Sequence, residues 1–196
     1  MTNELPSSKF FYDVFVAATA YFERHVEAIN NLNVFPVPDG DTGTNMYQTL
    51  RGIRKRVKYA DSYSVQDLAK LMCDAALWEG RGNSGIILSQ IFKGIYLGLK
   101  DKNLSDPDTL SSSLTAAYDS AYNAISNPTE GTILTLLRDV AKESERQSNK
   151  ELTFRDILGY LLIRAKESVD STPDSVSYTH LRAHETEADL VCRLLL

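Results

Sequence analysis

Thr153 to Val169 reads TFRDILGYLLIRAKESV, and the fold class follows from it. Thr153 and Asp156 stand three residues apart, the spacing of a capping box, in which a hydroxyl and a carboxylate satisfy unpaired N–H groups at a helix start. Ile157, Leu161, Ala165 and Val169 then recur at every fourth position and form one apolar face. A strand reading has no turn chemistry at either end to support it. The stretch is therefore predicted to be a helix.

The same periodicity extends towards the N-terminus. Ile133, Leu134, Leu137 and Val140 mark the preceding helix, and Leu110, Leu114, Ala117, Ala121 and Ile125 the one before that. Ile86, Ile87, Ile91 and Ile95 form another, separated from its successor by the polar stretch Asp101 to Asp108. Ser64 and Asp67 open a further helix carrying Leu68, Leu71, Met72 and Ala75. Met46, Leu50, Ile53 and Val57 define a second helix, and Phe11, Val14, Phe15, Ala18, Phe22 and Ile29 a first, with His25 inside it. No repeat interrupts the pattern. The prediction is an all-α fold in which short links make sequential helices antiparallel neighbours.

Composition narrows the function classes. The 196 residues carry 21 Lys+Arg against 26 Asp+Glu, a net charge of −5, so a nucleic-acid binder with a counterion-displacing basic face is not expected. The basic residues from Arg51 to Lys58 lie along one helix and read as a solvated face. Cys73 and Cys192 are too few for a disulfide framework or a zinc site, which suits a reducing cytoplasm. Neither an export leader nor a membrane span of about 18 apolar residues is evident.

Three loops combine glycine with acids or hydroxyls immediately before a helix. In the first, NVFPVPDGDTGTN (Asn33 to Asn45), Asp39 and Asp41 are two apart, and Gly40 and Gly43 permit tight turns. Two close carboxylates repel unless a cation lies between them, and hard oxygen ligands suit Mg²⁺ or Ca²⁺. The alternative is an Asx turn capping the next helix. An EF-hand is excluded, because the twelfth position from Asp39 is Leu50 rather than a glutamate. Thr42, Thr44 and Asn45 occupy the first helical turn, where free N–H groups and the dipole favour a phosphate. The second loop, GRGNSG (Gly80 to Gly85), has the letters of a dinucleotide fingerprint but follows a helix and lacks a βαβ unit. Its small residues Gly82, Asn83 and Gly85, with Ser84, allow close backbone approach to a phosphate, or simply a tight turn between helices. The third, NPTEGT (Asn127 to Thr132), reads alone as capping chemistry around Gly131 and Thr132.

NVFPVPDGDTGTNM (Asn33 to Met46), GRGNSGIILSQ (Gly80 to Gln90) and PTEGTILT (Pro128 to Thr135) resemble, in order, the three signatures of the nucleotide-binding L-subunit family of dihydroxyacetone kinases, in the wording of its fatty-acid kinase branch. The likeness runs from about Phe10 to Asp174. It implies an antiparallel barrel of about eight helices binding ATP or ADP at one end through two Mg²⁺ ions, with Asp39 and Asp41 as catalytic metal ligands. It assigns Thr42, Gly43, Thr44 and Asn45 to the phosphates, Gly82, Asn83, Ser84 and Gly85 to the phosphate chain, and Gly131 and Thr132 to the nucleoside side. Val34 stands where the glycerone kinases place a third aspartate, so Asn33 is the expected neutral oxygen ligand. The implied reaction is transfer of the γ-phosphate to a fatty-acid carboxylate presented by a fatty-acid-binding partner, with a homodimer in the full-length protein. An ionised carboxylate demands no general base, consistent with the lack of an obvious catalytic histidine. A dihydroxyacetone kinase subunit and a non-catalytic nucleotide-sensing adaptor remain alternatives.

Beyond Asp174 the character changes. VSYTHLRAHET (Val176 to Thr186) resembles the translation of a common sequencing adapter, and ADLVCRLLL follows it. The expectation is a kinase domain over residues 1–174, incomplete at its C-terminus, with a foreign tail over 175–196 that makes His180, His184 and Cys192 uninformative.

Overall fold

The computed structural model describes residues 7–33, 39–100, 102, 107–148, 150 and 152–171. Among these the regular elements are helical: α1 (Ser8–Glu23), α2 (Val26–Leu32), α3 (Thr42–Arg56), a 3-10 turn (Ala60–Ser62), α4 (Val65–Glu79), α5 (Gly82–Leu99), α6 (Pro107–Asn123), α7 (Ile133–Ser148) and α8 (Phe154–Asp170). The all-α expectation holds, with eight α-helices among the described residues. No helix among them is long and apolar enough to cross a membrane. The expected division between 174 and 175, and the adapter-like stretch, lie outside the described residues.

Helix starts follow the predicted chemistry. At α8 the box closes in both directions: the Asp156 N–H donates to Thr153 Oγ1 at 3.2 Å, and the Thr153 N–H donates to Asp156 Oδ2 at 3.0 Å. At α4 the Asp67 N–H donates to Ser64 Oγ at 3.1 Å, while the Ser64 hydroxyl turns to the Asp67 carboxylate instead of leaving it for the backbone.

The predicted apolar stripe is fully buried in α8, where Ile157, Leu161, Ala165 and Val169 all lie inside. In α3 and α4, Met46, Ile53, Leu68, Met72 and Ala75 are buried, and Val57, which caps α3, joins them. Ile53, Val57, Leu68, Met72 and Ala76 pack with Phe11, Phe15 and Phe92 into one cluster, tying α1, α3, α4 and α5 together. Full burial of side chains such as Ile53 and Leu68 contributes about 1.5–3 kcal/mol each.

Three expectations are corrected. The first helix is two, because α1 tightens at its end, where the His25 N–H donates to the Phe22 carbonyl at 3.0 Å, and α2 restarts at Val26. His25 is therefore a junction residue, its ring tilted against that of Tyr21. The bend turns Ile29 into a cluster with Phe22 and Met46, while Val14 and Ala18 of the predicted stripe are exposed. In α5 the isoleucines are not the buried face: Ile86 is exposed, and Gly85, Ser89, Gly94 and Gly98 are buried. Ile125 lies past the end of α6.

The glycine face of α5 explains its approach to α6. A Cβ on Gly94 would collide with the backbone of Ala116 and Ala117, and one on Gly98 with the backbone of Ser113. Contacts descend α6 as they ascend α5, so the pair is antiparallel. Gln66 at the start of α4 reaches the Lys102 carbonyl beyond α5, and Tyr12 near the start of α1 donates to the Val57 carbonyl after α3. Phe11 of α1 meets Phe154 of α8 edge-on at 6.3 Å, joining the first helix to the last. This alternation sends the starts of α3, α5 and α7 to one end. Ile133, which opens α7, packs on the cluster of Phe22, Ile29 and Met46 together with Leu88.

Substituting two helix glycines should have opposite effects. Gly94→Ala gains about 1 kcal/mol of helix propensity but forces α6 away, for a net loss of about 1–3 kcal/mol. Gly159, with nothing within 4 Å of an added Cβ, gains about 0.5–1 kcal/mol on replacement by Ala. Urea unfolding of the two variants checks the signs.

The hydrogen bonds from Thr153 hold the Asp156 carboxyl below its ordinary 3.8. A depressed folded pKa stabilises the fold above 3.8, and this stabilisation is lost as pH falls through the lower folded value. Melting temperatures of the parent and Asp156→Asn should converge as pH drops through that window.

Candidate functional site

The first two loops meet where α3 and α5 begin. Asp41 is the N-cap of α3, and its side chain makes no capping hydrogen bond. The Asx-turn alternative therefore does not describe it. Asp39 and Asp41 are both exposed, and Asp39 Oδ1 accepts from the buried Asn33 amide at 2.7 Å. Gly40 between the acids has φ +65°, a left-handed conformation that glycine adopts without steric cost. Residues 34–38, which include Val34, lie outside the described residues.

The start of α3 rests on α2. Asn30 Oδ1 accepts the Thr44 N–H at 3.1 Å, and Asn30 Nδ2 donates to Thr44 Oγ1 at 2.8 Å. A Cβ on Gly43 would lie 2.5 Å from the Val26 carbonyl oxygen, so this approach requires glycine. Thr44 is thus held by Asn30, while Thr42 and Gly43 remain at the helix tip.

The second loop closes onto this tip. Gly82 has φ +56°, and a Cβ there would enter the Asn45 carboxamide. The Ser84 hydroxyl donates to the Thr42 carbonyl at 3.2 Å, joining the two loops directly. Gly85 is buried with its Cα face against Thr49 Oγ1, whereas Asn83 is exposed. Thr49, fully buried in α3, donates to the Asn45 carbonyl at 2.8 Å, with Glu79 O at 3.3 Å, and accepts the Arg81 N–H at 3.2 Å.

The third loop is built separately. Gly131 has φ +76°, and its N–H donates to Thr135 Oγ1 at 2.9 Å. The Thr132 hydroxyl donates to the Thr129 carbonyl at 2.8 Å. Among the described residues, the hydrogen bonds of Gly131 and Thr132 stay within this loop and α7, so packing of Ile133 is what brings the loop to the same end. Beside it, burial works against the charge of Arg138, but Glu130 and Asp139 outweigh that effect and hold its pKa above the ordinary arginine value.

The DAK2 domain matches over residues 36–188, most of the chain. The chain belongs to the DAK2 domain family. The group is dihydroxyacetone kinase L-subunit-like and kinase-related. An uncharacterized protein of Staphylococcus haemolyticus is 36% identical over 86% of this chain and 30% of its own length. Two uncharacterized proteins of Staphylococcus aureus, from strains bovine RF122 and USA300, are 34% identical over 86% of this chain and 31% of theirs. The chain therefore spans less than a third of the length of these relatives. The family match continues to residue 188 and so takes in part of the stretch expected to be foreign.

In this DAK2 domain the sequence reading missed Asn30 and Thr49. Asn30 carries no motif. Thr49 did leave a signal, since a hydroxyl in mid-helix is a poor helix former and calls for a partner. Thr49→Val should leave the Arg81 N–H without its acceptor and lower stability by about 1–3 kcal/mol, whereas Thr49→Ser should retain most of it. Urea unfolding, with amide exchange at Arg81, measures both.

Proposed function

We propose that this DAK2 domain binds ATP with Mg²⁺ across the starts of α3 and α5 and transfers the γ-phosphate to a fatty-acid carboxylate. The observation that carries this reading is the acid pair at the tip of α3: Asp41 holds the N-cap position without spending its carboxylate there, next to exposed Asp39, which Asn33 orients. Among the described residues no group of three or more His, Cys, Asp or Glu converges on one point, so the donor set is two acids with Asn33 beside Asp39. Such a set fits magnesium, which keeps several waters and uses one or two carboxylates together with substrate phosphates. When bound, the metal neutralises charge on the phosphate oxygens.

The chain's own residues then have defined tasks. Asp39 and Asp41, with Asn33, hold the cation. Thr42, Gly43, Thr44 and Asn45 present the positive end of α3 to the phosphates, and Gly82, Asn83, Ser84 and Gly85 offer close backbone approach at the start of α5. Gly131 and Thr132 serve the nucleoside side. The acceptor carboxylate oxygen bonds to the γ-phosphorus as the bond to the β,γ-bridging oxygen breaks, giving an acyl phosphate and ADP. Because the carboxylate is already ionised, no proton has to be removed, and positioning with charge neutralisation suffices. A fatty-acid-binding partner would present the acyl chain, and the region beyond this chain's share of the relatives would contribute to its docking.

Calorimetric titration of Mg·ATP into the chain should give a single binding event. Asp39→Asn and Asp41→Asn should each weaken it by about tenfold or more. Unchanged affinity in both variants overturns the metal assignment. Mixing with ATP and a fatty acid on its binding protein, followed by hydroxylamine trapping, should yield a hydroxamate; nucleotide binding without hydroxamate would favour the adaptor reading.

A further inference from the structure

The third loop is anchored through a chain of charge-assisted bonds that begins on α8. Arg164 Nη2 and the Ser168 hydroxyl donate to Asp139 Oδ2 at 3.0 and 2.9 Å, and Asp139 is only 9% exposed. Its other oxygen accepts from Arg138 Nε at 3.3 Å. The same guanidinium donates through Nη1 to Glu130 Oε1 at 2.5 Å. Glu130 Oε2 accepts the Thr135 hydroxyl at 2.8 Å, and the Thr135 oxygen in turn accepts the Gly131 N–H.

The direction of each bond matters. A threonine hydroxyl has one proton and two lone pairs. Because Glu130 takes the proton, a lone pair of Thr135 is aimed at the Gly131 N–H. Thr135 is 5% exposed, so an unmet partner there is costly. Glu130 alone is half-exposed and would be free to turn into water, where an ordinary surface ion pair adds little. Here its partner Arg138 is fixed from behind by buried Asp139, which is itself fixed by α8. The left-handed turn at Gly131 thus inherits its shape from α8, through Asp139 and Arg138.

We infer that Glu130 is a positioning residue for the nucleoside end of the site, setting the Gly131 turn through the Thr135 hydroxyl and anchored to α8 by Arg138 and Asp139. This rests on the nucleotide reading above. It separates the two ends of the ligand: disturbing Glu130 should affect recognition of the nucleoside and leave recognition of the phosphates alone.

The test compares Mg·ATP with Mg·tripolyphosphate, which has no nucleoside, by calorimetry on the whole chain. Glu130→Ala should weaken ATP binding about tenfold and leave tripolyphosphate binding unchanged. Thr135→Val should show the same split, and Thr135→Ser should restore ATP affinity. Asp41→Asn should weaken both ligands. Parent-like ATP affinity in Glu130→Ala and Thr135→Val, or equal loss of both ligands, overturns the assignment of Glu130 while leaving the nucleotide reading standing. A parent chain that binds neither ligand overturns the nucleotide reading itself, and the assignment with it.

Discussion

The hydroxyl of Thr49 lies where α3, the end of α4 and the start of α5 converge. It gives its proton to the Asn45 carbonyl, close to that of Glu79, and receives the Arg81 N–H, and the Thr49 side chain is itself fully buried. In a low-dielectric interior such bonds are strong and expensive to leave unmade. The three backbone segments therefore cannot slide independently. The fit of Gly82 against Asn45, the bond from Ser84 to Thr42 and the packing of Gly85 on Thr49 itself all depend on that fixed junction. The acids at the tip of α3 keep a defined relation to the glycine-rich turn because a residue two turns deeper in the helix holds both.

The larger architecture supplies the rest. Antiparallel alternation puts alternate helix starts at one end, so the partial positive charges of α3 and α5 point the same way. Where α5 meets α6, glycines replace bulky side chains and the backbones pack directly on one another. Elsewhere the core is ordinary: interdigitated aliphatic and aromatic side chains around Ile53, Leu68 and Met72. Rigidity beneath the site and exposed polar chemistry above it are thus properties of different layers of the same helices.

How much of this could be read from residues alone depended on what held each element. Helix α8, capped by Thr153 and faced by Ile157, Leu161, Ala165 and Val169, was legible in full, because local capping and apolar periodicity agree there. The break at Arg24 and His25 was not. No glycine or proline marks it, and it arises from Ile29 turning towards Met46, a contact between distant residues. The buried face of α5 was misread for a related reason: hydrophobicity ranks isoleucine above glycine, whereas close helix approach ranks them in the reverse order. In the candidate site, the acids, glycines and hydroxyls of the loops were visible as composition. Asn30, Thr49 and the chain from Asp139 to Glu130 were not, since each takes its role from a partner remote in sequence or from a bond direction that composition does not record.

Gly40, Gly82 and Gly131 have φ of +65°, +56° and +76°, one in each loop. For other residues this backbone region costs roughly 1–2 kcal/mol, so all three loops share one stereochemical requirement. Connecting segments are usually where a protein absorbs sequence drift, insertions and deletions most easily. In this bundle the usual map of mutational tolerance is inverted at one end: the outward faces of the helices can vary freely, while the tips joining them each contain a position where the handedness of an L-amino acid works against the fold.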